Sequence, residues 1–325
     1  MVDQPEAGPN TGQNIFARLW TAPYILLTCT ALFWAGNSIV ARGARDWVPP
    51  VALSFWRWSL ALLILLPFAW PHLRRDLPIL KKSWLSLVIL GVLGIGAFNT
   101  LLYTGLQSTS AVNGLLLQSL QPGVILLLGA VLFSEKVRFF QFAGIVLAAV
   151  GAVEIVSRGD PGSLLLLDLN RGDLTIGCAV LIWSLYSVLL RKRPTVHPLS
   201  FLAATMALGI VSVTPFYVME IASGHLIVAR PESWMAVANV CVFPSLIAYL
   251  CFNRGVELLG SATAGLYMNI MPILGSALAA LFLGEAIRQF HIMGGILIGA
   301  GILLASVRKG APVINLAASS DSQRG

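Results

Sequence analysis

Ten apolar runs set the limits on what this chain can become. They occupy about 23–41, 51–70, 84–106, 110–133, 139–157, 173–190, 199–219, 234–256, 261–283 and 290–307. Most are long enough to cross a hydrocarbon layer about 30 Å thick. The runs are continuous rather than alternating, so they do not read as a β-barrel. Inside lipid each backbone N–H and C=O must be satisfied within the segment, which leaves the helix. The expectation is an all-α membrane protein with ten transmembrane helices. Composition agrees: 57% of the 325 residues are hydrophobic and only 11% charged, against about 25% charged in an ordinary soluble chain.

The same helical script is written twice. Gly105, Pro122, Glu135, Arg138, Phe140, Gly144 and Gly151 recur, without a gap, as Gly255, Pro272, Glu285, Arg288, Phe290, Gly294 and Gly301. Upstream, Trp34, Ser38, Arg42, Pro50, Pro67 and Phe68 meet Trp183, Ser187, Arg191, Pro198, Pro215 and Phe216 with a slightly shorter offset. Matching Pro, Glu and Arg carry weight in a chain where Leu on Leu would not. Two matching apolar halves are the signature of a transporter, although repeats also arise in membrane proteins that carry nothing.

Lys and Arg placement orients the chain. With the N-terminus inside, inner loops hold Arg74, Arg75, Lys81, Lys82, Lys136, Arg138, Arg191, Lys192 and Arg193, with Arg308 and Lys309 after the last run. Outer loops hold Arg42, Arg45, Arg158, Arg171, Arg230 and Arg288. Both ends are therefore expected in the cytoplasm. Five helices per copy is an odd number, so the second copy enters the membrane inverted, the arrangement that permits alternating access. The organisation expected is a cytoplasmic tail (1–22), a first five-helix repeat (23–157), a connector (158–172), a second repeat (173–307) and a cytoplasmic tail (308–325) that reads as short and disordered. The N-terminal tail lacks the basic-then-apolar order of a signal peptide. The net charge of +7 is spread between apolar runs and reads as topology, not as a nucleic-acid surface. Cys29, Cys178, Cys241 and Cys251 show no metal or redox spacing and read as apolar packing residues.

Polar groups within the runs are costly unless they have partners or face water. They are Trp34, Asn37 and Ser38; Asn99, Thr100 and Tyr103; Asn113, Gln118 and Gln121; Trp183 and Tyr186; Tyr249 and Asn253; Tyr267 and Asn269. Several fall at equivalent places, Asn99 with Tyr249 and Tyr103 with Asn253. As a set they are candidates to line a substrate path; each singly also fits a helix–helix hydrogen bond. Arg57, about 10 Å inside its span at 1.5 Å per residue, is the one strong charge within a run, with Trp56 and Trp58 placed to shield it. It can meet an anionic substrate group, snorkel outward, or pair with a carbonyl or carboxylate. Pro122 and Pro272 sit near the middle of their spans, where a missing donor frees the carbonyls of Gln118 and Met268; they read as hinges or as plain kinks. Glu154 is the one carboxylate inside a run, near its end, so proton coupling has no support. Glu135 and Glu285 read as anchors of the turns before the fifth and tenth runs, with Arg138 and Arg288. The fifth and tenth runs, glycine-rich and otherwise apolar, with a G-x-x-x-G at Gly295 and Gly299, read as support or dimer-contact helices. No catalytic motif, metal constellation or cofactor site appears.

The first-span A-L-F-W-A-G-N-S (31–38), the second-span F-W-R-W-S-L-A (55–61) and the two repeat endings carry a family resemblance. The endings run from Gln121-Pro122 through F-S-E-K-V-R-F-F-Q-F-A-G (133–144), and from Met271-Pro272 through L-G-E-A-I-R-Q-F-H-I-M-G (283–294). Over about 23–307 the chain resembles the ten-helix EamA type of the drug/metabolite transporter superfamily. Ser134, against Gly284 in the second ending, is a mild departure. The resemblance implies an inner-membrane carrier, usually an exporter of amino acids or other small metabolites, with a cavity at the repeat interface. Its expected partners are a small-molecule substrate, the lipid bilayer and a possible second copy. The alternatives are a broad drug-efflux protein, a membrane enzyme, for which no convergent acid/base set is visible, or a non-transporting assembly protein.

Overall fold

The computed structural model describes residues 15–109, 117–157, 159–160, 162, 170–283 and 287–306. These form helices joined by short turns, with no strand among the described residues. A short α1 (Ile15–Trp20) leads into α2 (Pro23–Ala44), α3 (Pro50–Lys82) and α4 (Trp84–Ser108). After residues outside the description come α5 (Gln121–Phe133) and α6 (Phe139–Val156). The second half holds α7 (Arg171–Leu189), α8 (Pro198–Ala222), α9 (Pro231–Leu259), α10 (Ser261–Tyr267), α11 (Met271–Leu283) and α12 (Gln289–Ser306). Six of these rods, α2, α3, α4, α7, α8 and α9, are long and apolar enough to cross a membrane; Leu117–Phe133, Phe139–Ile155 and Gln289–Ala305 are shorter apolar helices. Large apolar side chains such as Leu63, Phe68, Val131, Val211 and Leu303 lie on the outside. Lipid, not water, suits that surface.

The halves are interleaved. α3 packs along α8, and α6 along α12. α4 packs on α7 and α8, while α9 packs on α2 and α3; α5 meets α7, and α11 meets α2. Exchanging the two halves maps this set of neighbours onto itself. The α3–α8 and α6–α12 pairs are antiparallel: Val51 near the start of α3 meets Glu220 near the end of α8, and Gly144 and Gly151 of α6 face Gly301 and Gly294 of α12.

Several expectations need correction. The second run does not stop near residue 70: α3 continues to Lys82 through Pro67, Pro71 and Pro78. Its 33 residues span about 50 Å at 1.5 Å per residue, well past the hydrocarbon layer. Tertiary contact overrides the prolines, because Asp76 and Leu80 of the extension are buried and the Asp76 carboxylate accepts the His197 N–H at 2.9 Å. The end of the expected connector is helical: α7 starts at Arg171, where Asn170 and Asp173 form a capping box that satisfies its first donors. Pro122 and Pro272 are not at mid-helix. Each lies in the first turn of a helix, α5 and α11, after a break: a turn at Leu120 in one case and a 3₁₀ turn, Met268–Ile270, in the other. There a missing N–H costs nothing, since that donor has no partner within the helix.

Glu135 pairs with Arg191 rather than with Arg138, because the reversal at Ser134, in the left-handed region at φ 53°, turns it toward the end of α7. Glu285 lies outside the described residues. A Cβ at Gly299 would meet nothing within 4 Å; the close approach of α6 to α12 is made by the seven-spaced pairs Gly144/Gly151 and Gly294/Gly301.

Candidate functional site

Two local departures from α-helix position the site. Gly91–Ala97 of α4 and Cys241–Ile247 of α9 are π-helical turns, at matching places in the two halves. Such a turn inserts one residue and releases carbonyls from the ladder, and it recurs at functional sites. Pro244, inside the second, has no N–H to give and favours the wider turn. The first is glycine-rich because neighbours press on it: a Cβ at Gly91 would lie 2.8 Å from the Thr205 carbonyl oxygen, and one at Gly94 would lie 2.5 Å from the Tyr186 ring. Released carbonyls find side-chain donors. The Tyr249 hydroxyl donates to Gly94 O at 2.5 Å, Trp34 Nε1 to Pro244 O at 3.1 Å, and the Ser245 hydroxyl to Val240 O at 2.6 Å.

Arg57 occupies the centre, 1% exposed. Its Nε donates to Ser245 Oγ at 2.7 Å; its Nη1 donates to Asn99 Oδ1 at 3.0 Å and to the Tyr103 hydroxyl. Tyr103 passes its own proton to Asn37 Oδ1 at 3.0 Å. Asn99 Nδ2 donates to the Tyr249 hydroxyl at 3.2 Å. The cluster thus joins α2, α3, α4 and α9, from both halves. All these partners are neutral. Among the described residues no carboxylate pairs with Arg57, and Nη2 has no hydrogen-bond partner. Of the two flanking tryptophans, Trp58 shields the guanidinium, with Cζ 4.8 Å from its ring centre. Trp56 does not; its indole donates to the Tyr217 hydroxyl at 2.8 Å.

Aromatic rings wall the cluster on one side. Trp34 stands edge-on to Trp183 at 5.0 Å, and Trp58 edge-on to Tyr249 at 4.8 Å. Phe252 and Tyr186 extend the stack around Trp183. The Tyr186 hydroxyl then donates to Asn253 Oδ1 at 2.8 Å. Asn253 lines a small recess of about 10 Å³, open to solvent, together with Trp20, Arg193, Phe201, Arg254 and Glu257. Glu257 Oε2 accepts from Arg193 at 2.7 Å and Arg254 at 2.8 Å.

The two ends of the α3–α8 pair are held by reciprocal carboxylates. At the recess end, Asp76 of α3 accepts the N–H of His197, the residue that caps α8. At the far end, Glu220 of α8 accepts the N–H groups of Val51 and Ala52, the first turn of α3, at 3.0 and 2.6 Å. Each carboxylate satisfies donors that a helix start leaves open, and each favours the positive end of the helix dipole. Val48, Leu53, Val237 and Val240 form a buried apolar plug at the Glu220 end.

Of the residues singled out in the sequence, Trp34, Asn37, Arg57, Asn99, Tyr103, Trp183 and Tyr249 come together, with Tyr186 and Asn253 leading to the recess. Tyr267 does not join them; its hydroxyl pairs with Thr28 Oγ1 at 2.9 Å. Asn269 is buried, its Nδ2 without a partner among the described residues, Gln118 is half-buried just before α5, and neither bonds to Arg57. Asn113 lies outside the described residues. Sequence reasoning missed Ser245 and the two π turns. Ser245 stands opposite Ile95 in the repeat, so no pairing marked it; Pro244 beside it was the available signal.

A model of the EamA-like transporter family matches residues 21–157 and again 170–307. An uncharacterized transporter of Bacillus subtilis, YyaM, is 29% identical over 295 residues, covering 87% of this chain and 93% of that protein. An uncharacterized transporter of Archaeoglobus fulgidus is 27% identical over 293 residues, with 88% and 98% covered. Protein WALLS ARE THIN 1 of Arabidopsis thaliana is 24% identical over 368 residues, with 94% and 90% covered. A protein crystal structure shares the fold at TM-score 0.72 and 19% identity, over 88% of this chain and 96% of that one.

Proposed function

This chain belongs to the EamA-like transporter family of the drug/metabolite transporter superfamily, and from that premise we propose that it exports amino acids or similar small metabolites across a bacterial inner membrane by alternating access. It is a multi-pass membrane transporter and not an enzyme. In the proposed arrangement ten helices cross the membrane as two inverted repeats, 23–157 and 173–307, with both termini in the cytoplasm. The antiparallel pairing of α3 with α8 and of α6 with α12 supports the inversion, as does the exchange of neighbours between halves. With the termini inside, the recess beside Trp20 opens to the cytoplasm, and the apolar plug near Glu220 closes the outer end.

One observation carries the reading: a charged side chain buried where the two halves meet, tied to both by neutral groups only. A site shared between repeats is exposed to each side in turn when the repeats rock. The Asp76 and Glu220 clamps hold opposite ends of the same helix pair, so releasing one end and keeping the other gives the two access states. Pro122 and Pro272, each starting a helix after a break, supply places to bend. The aromatic wall gives the broad drug-efflux reading its support, because flat apolar drugs would stack on the same rings.

The test is counterflow. Purified protein in liposomes is preloaded with mixed unlabelled amino acids and then offered labelled ones singly. Uptake of one class, reduced by Asn37→Ala or Asn99→Ala in folded protein, is the expected result. No counterflow of any amino acid, with uptake of apolar drugs instead, would transfer the proposal to drug efflux.

A further inference from the structure

We propose that the transported compound is a small organic carboxylate with a flat apolar body, that its carboxylate is bound by Arg57, and that an ammonium group plays no part in its recognition. The inference rests on the carrier reading above and names the substrate class of that same site.

A guanidinium does not lose its proton in a protein, so Arg57 is a fixed cation at 1% exposure. Burying a charge is costly unless an opposite charge compensates it. The groups around it, Asn99, Tyr103, Ser245 and the Trp58 ring, supply dipoles and no anion. A substrate carboxylate would provide the missing charge. Geometry leaves it a donor: among the described residues Nη2 has no partner. The Ser245 hydroxyl is held independently by Val240 O, so it can yield Nε without losing its own bond. A carboxylate on Nη2 and Nε then forms the two-pronged contact that suits a guanidinium.

The same cluster offers an ammonium no counter-charge. Among the described residues it contains no Asp or Glu, Asn37 Oδ1 already accepts from Tyr103, and Gly94 O and Pro244 O are taken by Tyr249 and Trp34. The rings of Trp34, Trp58, Trp183 and Tyr249 pack edge-to-face and Trp58, Trp183 and Tyr249 are buried here; they give the cluster an apolar side that a flat body would meet once the repeats part. The mouth agrees in sign. Arg193 and Arg254 share one carboxylate, Glu257, so the recess carries an excess positive charge. Such an excess concentrates anions at an entrance.

The experiment offers proteoliposomes holding the full chain three probes with one ring system: 3-phenylpropionate (carboxylate alone), phenylalanine (both groups) and phenethylamine (amine alone). Counterflow is expected for the first two and not for the third. Arg57→Gln is expected to weaken 3-phenylpropionate about 10- to 100-fold, the range for a lost hydrogen-bonded charge. Arg57→Lys, with charge but no fork, should recover part of that loss. If Arg57→Gln fails to fold, the ranking of the three probes on the wild-type protein still decides. Phenethylamine carried as well as 3-phenylpropionate, or folded Arg57→Gln with unchanged affinity, overturns the proposal. Carriage of cationic or neutral compounds with none of the three probes moving also overturns it and leaves the carrier reading standing. Movement of nothing, by folded protein, removes the carrier reading itself and this one with it.

Discussion

Replacing Gly144 by alanine should destabilise this protein, while the same change at Gly299 on the partner helix should not. The difference is one of space. α6 and α12 lie backbone against backbone. A Cβ at Gly144 falls 2.5 Å from the Gly301 carbonyl oxygen, 2.7 Å from Ala305 Cβ and 2.7 Å from Ala305 N. Ordinary contacts lie at about 3.5–4.0 Å, so the helices must part by roughly 1 Å. A gap of that size forfeits a quarter to a half of each neighbouring dispersion contact. The contacts at stake include Ala148, Ala152 and Ile298, all fully buried. Backbone atoms cannot swing aside, which puts the cost near the upper part of the usual overpacking range, about 2–3 kcal/mol. Alanine returns about 1 kcal/mol through helix propensity, leaving a net loss of about 1–2 kcal/mol. At Gly299 a Cβ meets nothing within 4 Å, so only the propensity gain remains. Thermal unfolding in one detergent should show Tm lowered for Gly144→Ala and unchanged or raised for Gly299→Ala. Gly144→Ala and Gly301→Ala act on one contact, so the double variant should lose less than the sum. Equal shifts of the same sign for Gly144→Ala and Gly299→Ala would refute the reasoning.

Three further outcomes are expected. Glu220→Gln removes a charge from the start of α3; an impermeant reagent should then label Val51→Cys, in a cysteine-free background, faster than in the parent, and Asp76→Asn should not produce that change. Equal labelling in both variants would dissolve the idea of two separate clamps. Pro122→Ala and Pro272→Ala should leave Tm nearly unchanged, because each proline sits in a first turn, yet slow counterflow by letting the helix run back through its break; an unaltered rate would reduce both to plain structure. His197 reports on the cytoplasmic clamp through pH. Burial first, then the stacked His72 ring 3.5 Å away, lowers the tendency of His197 to hold a proton, with Arg75 adding to this and Asp76 opposing it. A lowered imidazole value means that the folded state prefers the neutral ring. Its stabilisation is complete above the unfolded value of about 6.5 and is lost as pH falls below it. Protonation would also remove the acceptor, Nδ1, that caps the Leu199 N–H at 3.3 Å. Tm should therefore fall from pH 7.5 to 5.5, with a shallower fall in His197→Asn; identical profiles would exclude this residue as the source.

The sequence by itself determined the material and its doubling. Long unbroken apolar runs leave the backbone no partner but itself, so helices followed from hydropathy alone. Matching Pro, Arg and Gly positions exposed two copies, because such residues are not exchanged as freely as Leu for Ile. Arg57 stood out for the same energetic reason: a charge in an apolar run needs an explanation wherever it points. Tertiary structure decided the rest. Hydropathy placed the end of the second run near residue 70, yet α3 continues to Lys82 because Asp76 and Leu80 find burial against the start of α8. The local pattern made Pro122 and Pro272 mid-helix kinks, but the backbone had already broken before them. Glycines 295 and 299 had the familiar spacing, whereas Gly144, Gly151, Gly294 and Gly301 are the ones in close contact; only the facing helix determines which glycine must lack a side chain. Ser245 reached Arg57 through a π turn, a change of register that no periodicity announces. What a run is made of follows from its transfer from water to lipid, which each residue undergoes nearly alone. Which side chains meet depends on pairs of helices, and that information lies in their packing.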